Sequence, residues 1–303
     1  GHRNWTSVGN LRKEKEAIID PRGLLTANID SWSIDIFAFH QGKLYAPSQL
    51  RQVKQRVLHS IPMIETSFEV ENFVLLITTF ANVIRGQEIL FHQVRVTNHG
   101  HQGDDIAVYL SIRPYNPEGI SLVHRINYRE EAFYVNGSLG VVLMQKPQQV
   151  LCSNLKDGDV TLQFSRKDAP SQYESVCNAG LCTASAGYTV YLNPGEDQTF
   201  EFRIPMDAKM TIARIIFSEG TFEGYEQNVV SDWKRKLQES ISISIPDKKL
   251  EKAFKTNIAY MLLFFDGNSI APGPFNYHHF WFRDAAYLLQ ALCKSGFAAE
   301  TRQ

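Results

Sequence analysis

Strict alternation of apolar and polar side chains is the feature that most constrains how this chain can fold. The segment 105–112 carries apolar residues at every second position, namely Ile106, Val108, Leu110 and Ile112. A period of two places all four on one face of an extended chain, which is typical of a half-buried β-strand. The segment 199–204 repeats the pattern with Phe200, Phe202 and Ile204. Both segments are therefore predicted to be strands with one face in a core.

Similar segments follow one another up to about residue 220, with turn signals between them. Further runs rich in β-branched and aromatic residues cover residues 73–80, 88–98, 139–144 and 188–192. Turn signals occur at residues 98–100, 136–137, 156–159 and 193–195. The segment 49–59 fits either a helical or a strand period. Because no long helix intervenes, we expect antiparallel sheets packed as a sandwich.

The pattern changes near residue 222, where we place a domain boundary. Residues 225–237 are polar and contain neither Pro nor Gly, so they are predicted to form a linking helix. Residues 241–245 alternate briefly and predict a short strand, which ends at Pro246. The linker is therefore expected to cover residues 222–246.

The remaining residues, 247–303, predict helices. After the start signal Pro246-Asp247, apolar residues recur at helical spacing: Leu250, Phe254, Ile258, Met261 and Phe265. Gly267-Asn268 is the expected end of this helix. A second helix is predicted from about Arg283 to Ser295, with Gly296 as its C-terminal cap, and residues 298–303 read as the start of a third.

Charge and cysteine content exclude several classes of protein. The 31 basic and 32 acidic residues give a net charge of -1, so neither nucleic acid nor an acidic membrane surface is an expected partner. No apolar run is long enough to span a bilayer, and no signal peptide is visible, which favours a cytoplasmic location. The four cysteines contain no CxxC pair, so we expect no zinc site and no cofactor. Cys177 and Cys182 are close enough in sequence either to form a disulfide or to stay reduced.

The loop between the two predicted helices, residues 271–285, is the candidate functional site because it is unusually aromatic and charged. Tyr277 and Trp281 can stack on the apolar faces of a sugar ring. Arg283 can donate hydrogen bonds to sugar hydroxyls, and Asp284 can accept them. The alternative is that Arg283 and Asp284 pair with each other or cap the helix, and that Trp281 lies in the core. His278 and His279 are adjacent but have no evident third ligand nearby, so no metal is expected.

The motif Tyr277-x-x-x-Trp281-x-Arg283-Asp284 resembles the first substrate loop of the glucoamylase-like glycoside hydrolases of family 15. The wider segment 280–287 resembles bacterial glucoamylase-like proteins, and the segments 20–23 and 112–119 are similar to parts of their N-terminal β-domain. The resemblance covers essentially the whole chain. Its fold is a mainly β, antiparallel β-supersandwich of the galactose-mutarotase-like kind, followed by a linker helix and an (α/α)6 barrel.

This resemblance implies three parts for the chain: a β-supersandwich over residues 1–221, a linker over 222–246 and the first helices of a truncated barrel over 247–303. It also implies inverting hydrolysis of α-glucosidic bonds at non-reducing ends. The family's Arg-Asp pair binds hydroxyls of the terminal glucose, so Arg283 and Asp284 take that role by resemblance, with Trp281 and Tyr277 lining the same pocket. His279 stands where fungal members tend to have tyrosine.

The catalytic residues of such an enzyme are expected beyond Gln303. An inverting glycosidase needs two carboxyl groups, and the resemblance places both in later barrel loops. A twelve-helix barrel needs about 200 residues at least, whereas 57 residues follow Pro246. We therefore expect the 303-residue chain to be inactive alone, with an oligosaccharide or α-glucoside as its ligand.

Two other functions remain open from the sequence. The first is an inverting disaccharide phosphorylase of the same architecture, which uses phosphate in place of a catalytic base. The second is a non-catalytic carbohydrate-binding or assembly module. The barrel helices would also expose an apolar face, through which two copies of the chain could form a homodimer.

Overall fold

Two antiparallel sheets face each other across the main hydrophobic core. The computed structural model describes residues 4–28, 31–165, 170–207, 220–266 and 268–302. The first sheet has the strand order β1 (Thr6–Gly9), β2 (Glu16–Ile19), β3 (Leu25–Thr26), β4 (Ser33–His40), β10 (Asp104–Arg113), β18 (Thr183–Leu192) and β16 (Gln149–Ser153), and β5 (Lys43–Tyr45) pairs with β4.

The second sheet and a small ribbon complete the strands. The second sheet has the order β17 (Glu174–Val176), β13 (Arg125–Arg129), β14 (Ala132–Val135), β15 (Ser138–Leu143), β19 (Asp197–Pro205), β9 (Gln87–Asn98), β8 (Phe73–Ile84), β7 (Ile64–Val70) and β6 (Val53–Val57). The ribbon consists of β11 (Tyr115–Asn116) and β12 (Gly119–Ile120). The predicted fold class, mainly β with antiparallel sheets, is confirmed.

Alternation along the central strands builds the core between the sheets. The predicted face of β10, Ile106, Val108, Leu110 and Ile112, is buried. It lies in the same cluster as Phe200, Phe202 and Ile204 of β19. The strand β10 pairs with β4 on one side and β18 on the other, so its backbone is satisfied on both edges. The ambiguous segment 49–59 contains the strand β6, which pairs with β7.

Three helices form a second core on the outer face of the second sheet. They are α1 (Phe222–Leu237), α2 (Lys248–Leu263) and α3 (Phe282–Lys294). Phe80 and Phe91 of the sheet stack with ring centroids 5.1 Å apart, and Phe222 of α1 meets Phe80 edge-on at 4.9 Å. Trp233 of α1 and Leu292 of α3 are buried in the same cluster. The helices therefore pack against the sheet as well as against each other.

The helix ends follow the predicted signals. The Asp247 side chain accepts hydrogen bonds from the backbone N–H groups of Lys249 and Leu250 at 2.8 and 3.3 Å, so it caps α2. Gly296 follows α3 with φ at +109°, where a Cβ would lie 2.7 Å from the Glu239 carbonyl oxygen. Both its φ and this close approach require glycine at the C-terminal cap. Gly267, part of the predicted end of α2, lies outside the described residues.

Several boundaries and faces differ from prediction. The linking helix begins at Phe222, three residues earlier than expected, because the Thr221 side chain caps it by accepting from Gly224 N–H. Leu250 is exposed, and the buried face of α2 consists of Ile258, Ala259, Leu262 and Leu263. The predicted apolar face is therefore wrong at the first turn of α2.

Two short elements also differ. The predicted strand over residues 241–245 is wrong, because the Ile241 N–H donates to the Ser295 carbonyl instead of to a neighbouring strand. Where a third helix was expected to start, the structure has a short 3-10 helix over Glu300–Arg302, and Gln303 lies outside the described residues. Glu300 forms an ion pair with Lys236 of α1, so it ties this turn to the linking helix.

The first hairpin of the chain supports the helices. The Tyr260 hydroxyl on α2 donates to the Ser7 carbonyl oxygen on β1 at 3.2 Å, joining residues 253 positions apart. The turn 20–23, one of the segments with family resemblance, is held by Asp20, whose Oδ1 accepts from the N–H groups of Arg22 and Leu24. That segment therefore has a structural role as a turn.

The state of the cysteines and the apolarity of the helices complete the description. All four cysteines, including Cys177 and Cys182, are free, so the disulfide alternative is not realised. Among the described residues, none of the helices combines the length and apolarity needed to cross a bilayer.

Candidate functional site

The site loop, residues 264–281, connects α2 to α3 and is pinned by buried apolar side chains. Phe265 and Ile270 form an antiparallel bridge and are buried, and Phe275 is buried further along. Between them, Asp266 Oδ1 accepts from the N–H groups of Asn268 and Ser269 at 2.8 and 2.7 Å. These contacts hold the described residues of the loop in place.

The predicted aromatic residues of the loop face solvent. Tyr277 is 53% exposed and Trp281 is 44% exposed, with ring centroids 6.1 Å apart and planes inclined by 34°. Phe280 and Phe282 are also exposed. Aromatic side chains normally lose solvent on folding, so four exposed together mark a binding surface or a surface covered by another part of a protein.

The predicted charged pair lies at the start of α3. Arg283 is exposed, and its Nη2 lies 3.6 Å from Asp284 Oδ2, which is an ion pair that is too long for a good hydrogen bond. Asp284 sits in the first turn of α3, where the helix dipole favours a negative charge. Its Oδ2 atom is buried and has no hydrogen-bond partner. The two residues are therefore adjacent but do not satisfy each other.

A residue that the sequence analysis did not identify, Glu16 on β2, contacts this loop. Its Oε2 atom lies 3.1 Å from His278 Nδ1, close enough for an ion pair, although the alignment is too poor for a hydrogen bond. Burial raises the pKa of Glu16 above its usual range, even though His278 opposes the shift. Conversely, the contact with Glu16 raises the pKa of His278, and burial opposes that shift.

Unsatisfied polar atoms concentrate at this place. The described residues include five buried side-chain polar atoms without a hydrogen-bond partner, and three of them belong to Glu16, His278 and Asp284. Such atoms cost free energy in a folded protein, and each one needs an explanation. Glu16 and His278 contact each other, and Asp284 lies in the first turn of α3, directly after the site loop.

The sequence offered only a weak signal for Glu16. It is the charged residue of a strand whose four positions, 16–19, are all buried. A carboxylate at a fully buried strand position is unusual, but its partner is far away in sequence and could not be named. Among the described residues, no group of three or more His, Cys, Asp or Glu side chains could hold a metal ion.

No protein-family model matches the chain, and no curated protein matches it. A crystal structure of a bacterial glucoamylase complexed with acarbose is similar, with a TM-score of 0.69 and 10% sequence identity, covering 100% of this chain and 49% of that chain. A human-microbiome protein assigned as a kojibiose phosphorylase has a TM-score of 0.57 and 10% identity, covering 97% of this chain and 45% of that chain.

These likenesses establish the fold. The chain has the architecture expected from the resemblance to glucoamylase-like enzymes, and it spans about half the length of both solved structures. Both of those proteins are enzymes by their descriptions, one a glycosidase and the other a disaccharide phosphorylase.

Proposed function

We propose that this chain carries the sugar-binding half of a glycoside hydrolase site of the glucoamylase kind. In the full-length protein the reaction would be inverting hydrolysis of α-glucosidic bonds at non-reducing ends. The observation that carries the proposal is the solvent-facing pair Tyr277 and Trp281 beside an Asp284 oxygen that is buried and unpartnered. The shared fold with a bacterial glucoamylase supports it.

The chemistry of these groups suits a glucosyl ring. Trp281 and Tyr277 offer aromatic surface to the C–H faces of the ring, and the hydroxyls around the ring can donate to the Asp284 carboxylate. A hydrogen bond to a charged group is worth about 1.5–3 kcal/mol. The exposed Arg283 guanidinium is free to donate to the same ligand, since its contact with Asp284 is loose.

Maltotriose binding tests the proposal directly. We expect Asp284→Asn to weaken binding by tenfold or more, because a charged acceptor becomes a neutral one. Trp281→Ala is expected to remove the stacking surface and to weaken binding by a similar amount. Isothermal titration of the 303-residue chain measures both changes.

Matched controls separate the site from general surface effects. Asp232→Asn changes an exposed aspartate of α1, and Tyr191→Ala removes an exposed aromatic ring from β18. Both controls are expected to leave the affinity unchanged. Equal affinity of all five proteins for maltotriose, or failure of the unchanged chain to bind it, would refute the proposal.

We further propose that the chain binds sugar without turning it over. An inverting glycosidase needs two carboxyl groups about 6.5–9.5 Å apart on either side of the scissile bond. The proposed catalytic pair belongs to later barrel loops, and the chain spans 49% of the bacterial glucoamylase structure. We expect no glucose release from maltose by the purified chain, and turnover abolished by a substitution within residues 4–302 would contradict this.

The alternative activity is that of an inverting disaccharide phosphorylase. The similarity to the human-microbiome protein favours it, since the TM-score of 0.57 also covers nearly the whole chain. The two activities differ in their need for phosphate. Phosphate-dependent formation of glucose-1-phosphate by the full-length protein would favour the phosphorylase, and glucose release without phosphate would favour the hydrolase.

A homodimer through the helices is also proposed. Leu250 of α2 and Tyr287 of α3 are exposed, and they offer apolar surface to a second copy. Sedimentation of the unchanged chain and of a Leu250→Ser variant tests this, with a dimer expected for the first and a monomer for the second.

A further inference from the structure

A cleft of about 290 Å³ lies behind the site loop, between that loop and the N-terminal hairpin. We call it the β2 cleft. The residues of its wall that matter here are Lys13, Glu14, Glu16, Asp266, His278 and Phe280. Its volume is at the lower end of the range for small-molecule sites, so it suits a ligand of about one sugar ring.

Glu16 makes the β2 cleft more than a surface groove. Its side chain is only 3% exposed, and its Oε1 atom has no hydrogen-bond partner, while Oε2 faces His278. A buried carboxylate with one oxygen unsatisfied is costly unless a donor reaches it. A ligand that donates a hydrogen bond to this oxygen therefore binds more tightly, because it removes the cost of leaving the oxygen unsatisfied.

The charge around the β2 cleft decides which donor fits best. The carboxylates of Glu14, Glu16 and Asp266 line the β2 cleft together with Lys13 and His278. The carboxylates of Asp266 and of the nearby Glu88 also raise the pKa of Glu16, so the region carries an excess of negative charge. A cationic donor relieves this repulsion, a neutral hydroxyl does so only in part, and an anion would increase it.

We propose that the β2 cleft binds the protonated amine of an amino sugar, with the Glu16 carboxylate as its acceptor. The phenyl ring of Phe280, exposed at the mouth, offers an apolar face to the ring of the ligand. The β2 cleft and the aromatic surface share the same loop, so the choice of a sugar as the carrier of the amine rests on the proposed function. A single ligand could then span both parts of the loop.

The test compares glucosamine with N-acetylglucosamine, its neutral counterpart, by titration at neutral pH. For the unchanged chain we expect glucosamine to bind about tenfold or more tightly than N-acetylglucosamine. Glu16→Gln is expected to bring the ratio of the two dissociation constants close to one. Glu69→Gln, which removes an exposed carboxylate from β7, is the charge-matched control and is expected to keep the preference.

A second variant keeps the test decisive if Glu16→Gln does not fold. Glu14 is exposed at the rim, so Glu14→Gln is expected to fold normally. Because solvent partly screens the charge of Glu14, its removal is expected to reduce the preference for glucosamine only about two- to threefold. The ring signals of His278 in NMR spectra are expected to shift on addition of glucosamine. Equal binding of the two sugars, no binding of glucosamine, or an unaltered His278 signal would overturn the proposal.

Maltotriose titrated into the same proteins separates the two proposals. Loss of the glucosamine preference in Glu16→Gln, with maltotriose binding retained, assigns the effect to the β2 cleft. Maltotriose binding that is absent from every protein, with glucosamine still bound through Glu16, would refute the function proposed for Tyr277, Trp281 and Asp284 and leave the amine site standing.

Discussion

Replacing Trp233 by alanine is expected to lower the free energy of unfolding by about 3–5 kcal/mol, the usual cost of removing a buried tryptophan side chain. Trp233 is 3% exposed and lies in the second core, where α1 meets the sheet and the other helices. The surrounding side chains come from both sheet and helices, so they cannot all collapse into the cavity. Urea unfolding followed by circular dichroism measures the change.

Trp281→Ala is the matched control for this measurement. It removes the same side chain from the site loop, where the ring is 44% exposed and packs against Tyr277. We expect its cost to be below about 1 kcal/mol. Equal costs for the two variants, or a cost for Trp233→Ala below that of Trp281→Ala, would show that the helices are not anchored through α1 as described.

Acid is expected to destabilise the chain through His92, which lies in the core between the sheets. Burial lowers the pKa of His92 to about 3 from an ordinary value of 6.5. Between those values the unfolded chain binds a proton that the folded chain excludes. The contribution of His92 to the free energy of unfolding is therefore fully present above about pH 6.5. As pH falls from there toward 3, the free energy of unfolding decreases by about 1.4 kcal/mol for each pH unit.

Asp35 acts in the opposite direction over part of the same range. Burial raises the pKa of Asp35 to about 7 from 3.8, so its neutral form is favoured in the folded chain and stability falls as pH rises between these values. The two groups partly cancel in the unchanged protein. The effect of His92 must therefore be measured as a difference between two proteins that share Asp35.

A double substitution isolates this difference. Thr79 Oγ1 lies 2.8 Å from His92 Nδ1, and His92 Nε2 has no partner. Thr79→Val with His92→Leu replaces both polar groups by apolar ones of similar size, which is expected to be nearly neutral above pH 6.5. Urea unfolding at several pH values measures the free energy of unfolding of both proteins. Below pH 6.5 the double variant is expected to become more stable than the unchanged chain by about 1.4 kcal/mol for each pH unit.

His92→Leu alone serves as the comparison, because it leaves the Thr79 hydroxyl without its partner. It is expected to be less stable than the double variant at every pH, by about 1–3 kcal/mol. Identical pH dependence in the unchanged chain and the double variant would mean that His92 is not the group that titrates.

The fold could be predicted from the sequence where burial has a local period. Ile106, Val108, Leu110 and Ile112 all enter the core because β10 lies in the middle of its sheet and one face must point inward. The caps at Asp247 and Gly296 could be predicted because capping depends on the backbone within a few residues. Such signals need no knowledge of the partner segment.

Prediction failed where the outcome depends on a distant partner. Leu250 has the helical spacing of the buried Ile258, but its own side chain is exposed, because burial depends on which other elements pack against that turn. Residues 241–245 alternate as a strand does, but a strand needs the free edge of a sheet to pair with. The Ile241 N–H instead donates to the Ser295 carbonyl oxygen at the end of α3.

The candidate site likewise contains residues that could be singled out from the sequence and one that could not. The aromatic and charged residues of the loop could be singled out from their local crowding, and the structure leaves Tyr277, Trp281 and Arg283 facing solvent. Their role in sugar binding stays a prediction. Glu16 could not be found, because its significance comes from a contact with His278 that forms only in the folded chain.

The hydrogen bond from Tyr260 to Ser7 has a consequence for the order in which the chain assembles. A ribosome releases β1 first and α2 more than two hundred residues later, with 253 positions between the two bonded residues. Closing such a long span costs conformational entropy before any contact repays it, so the sheets are expected to form first and to hold the hairpin in place. The N-terminal edge of the sandwich is therefore expected to stay exposed until α2 has been synthesised, and during that interval the chain is most prone to aggregation.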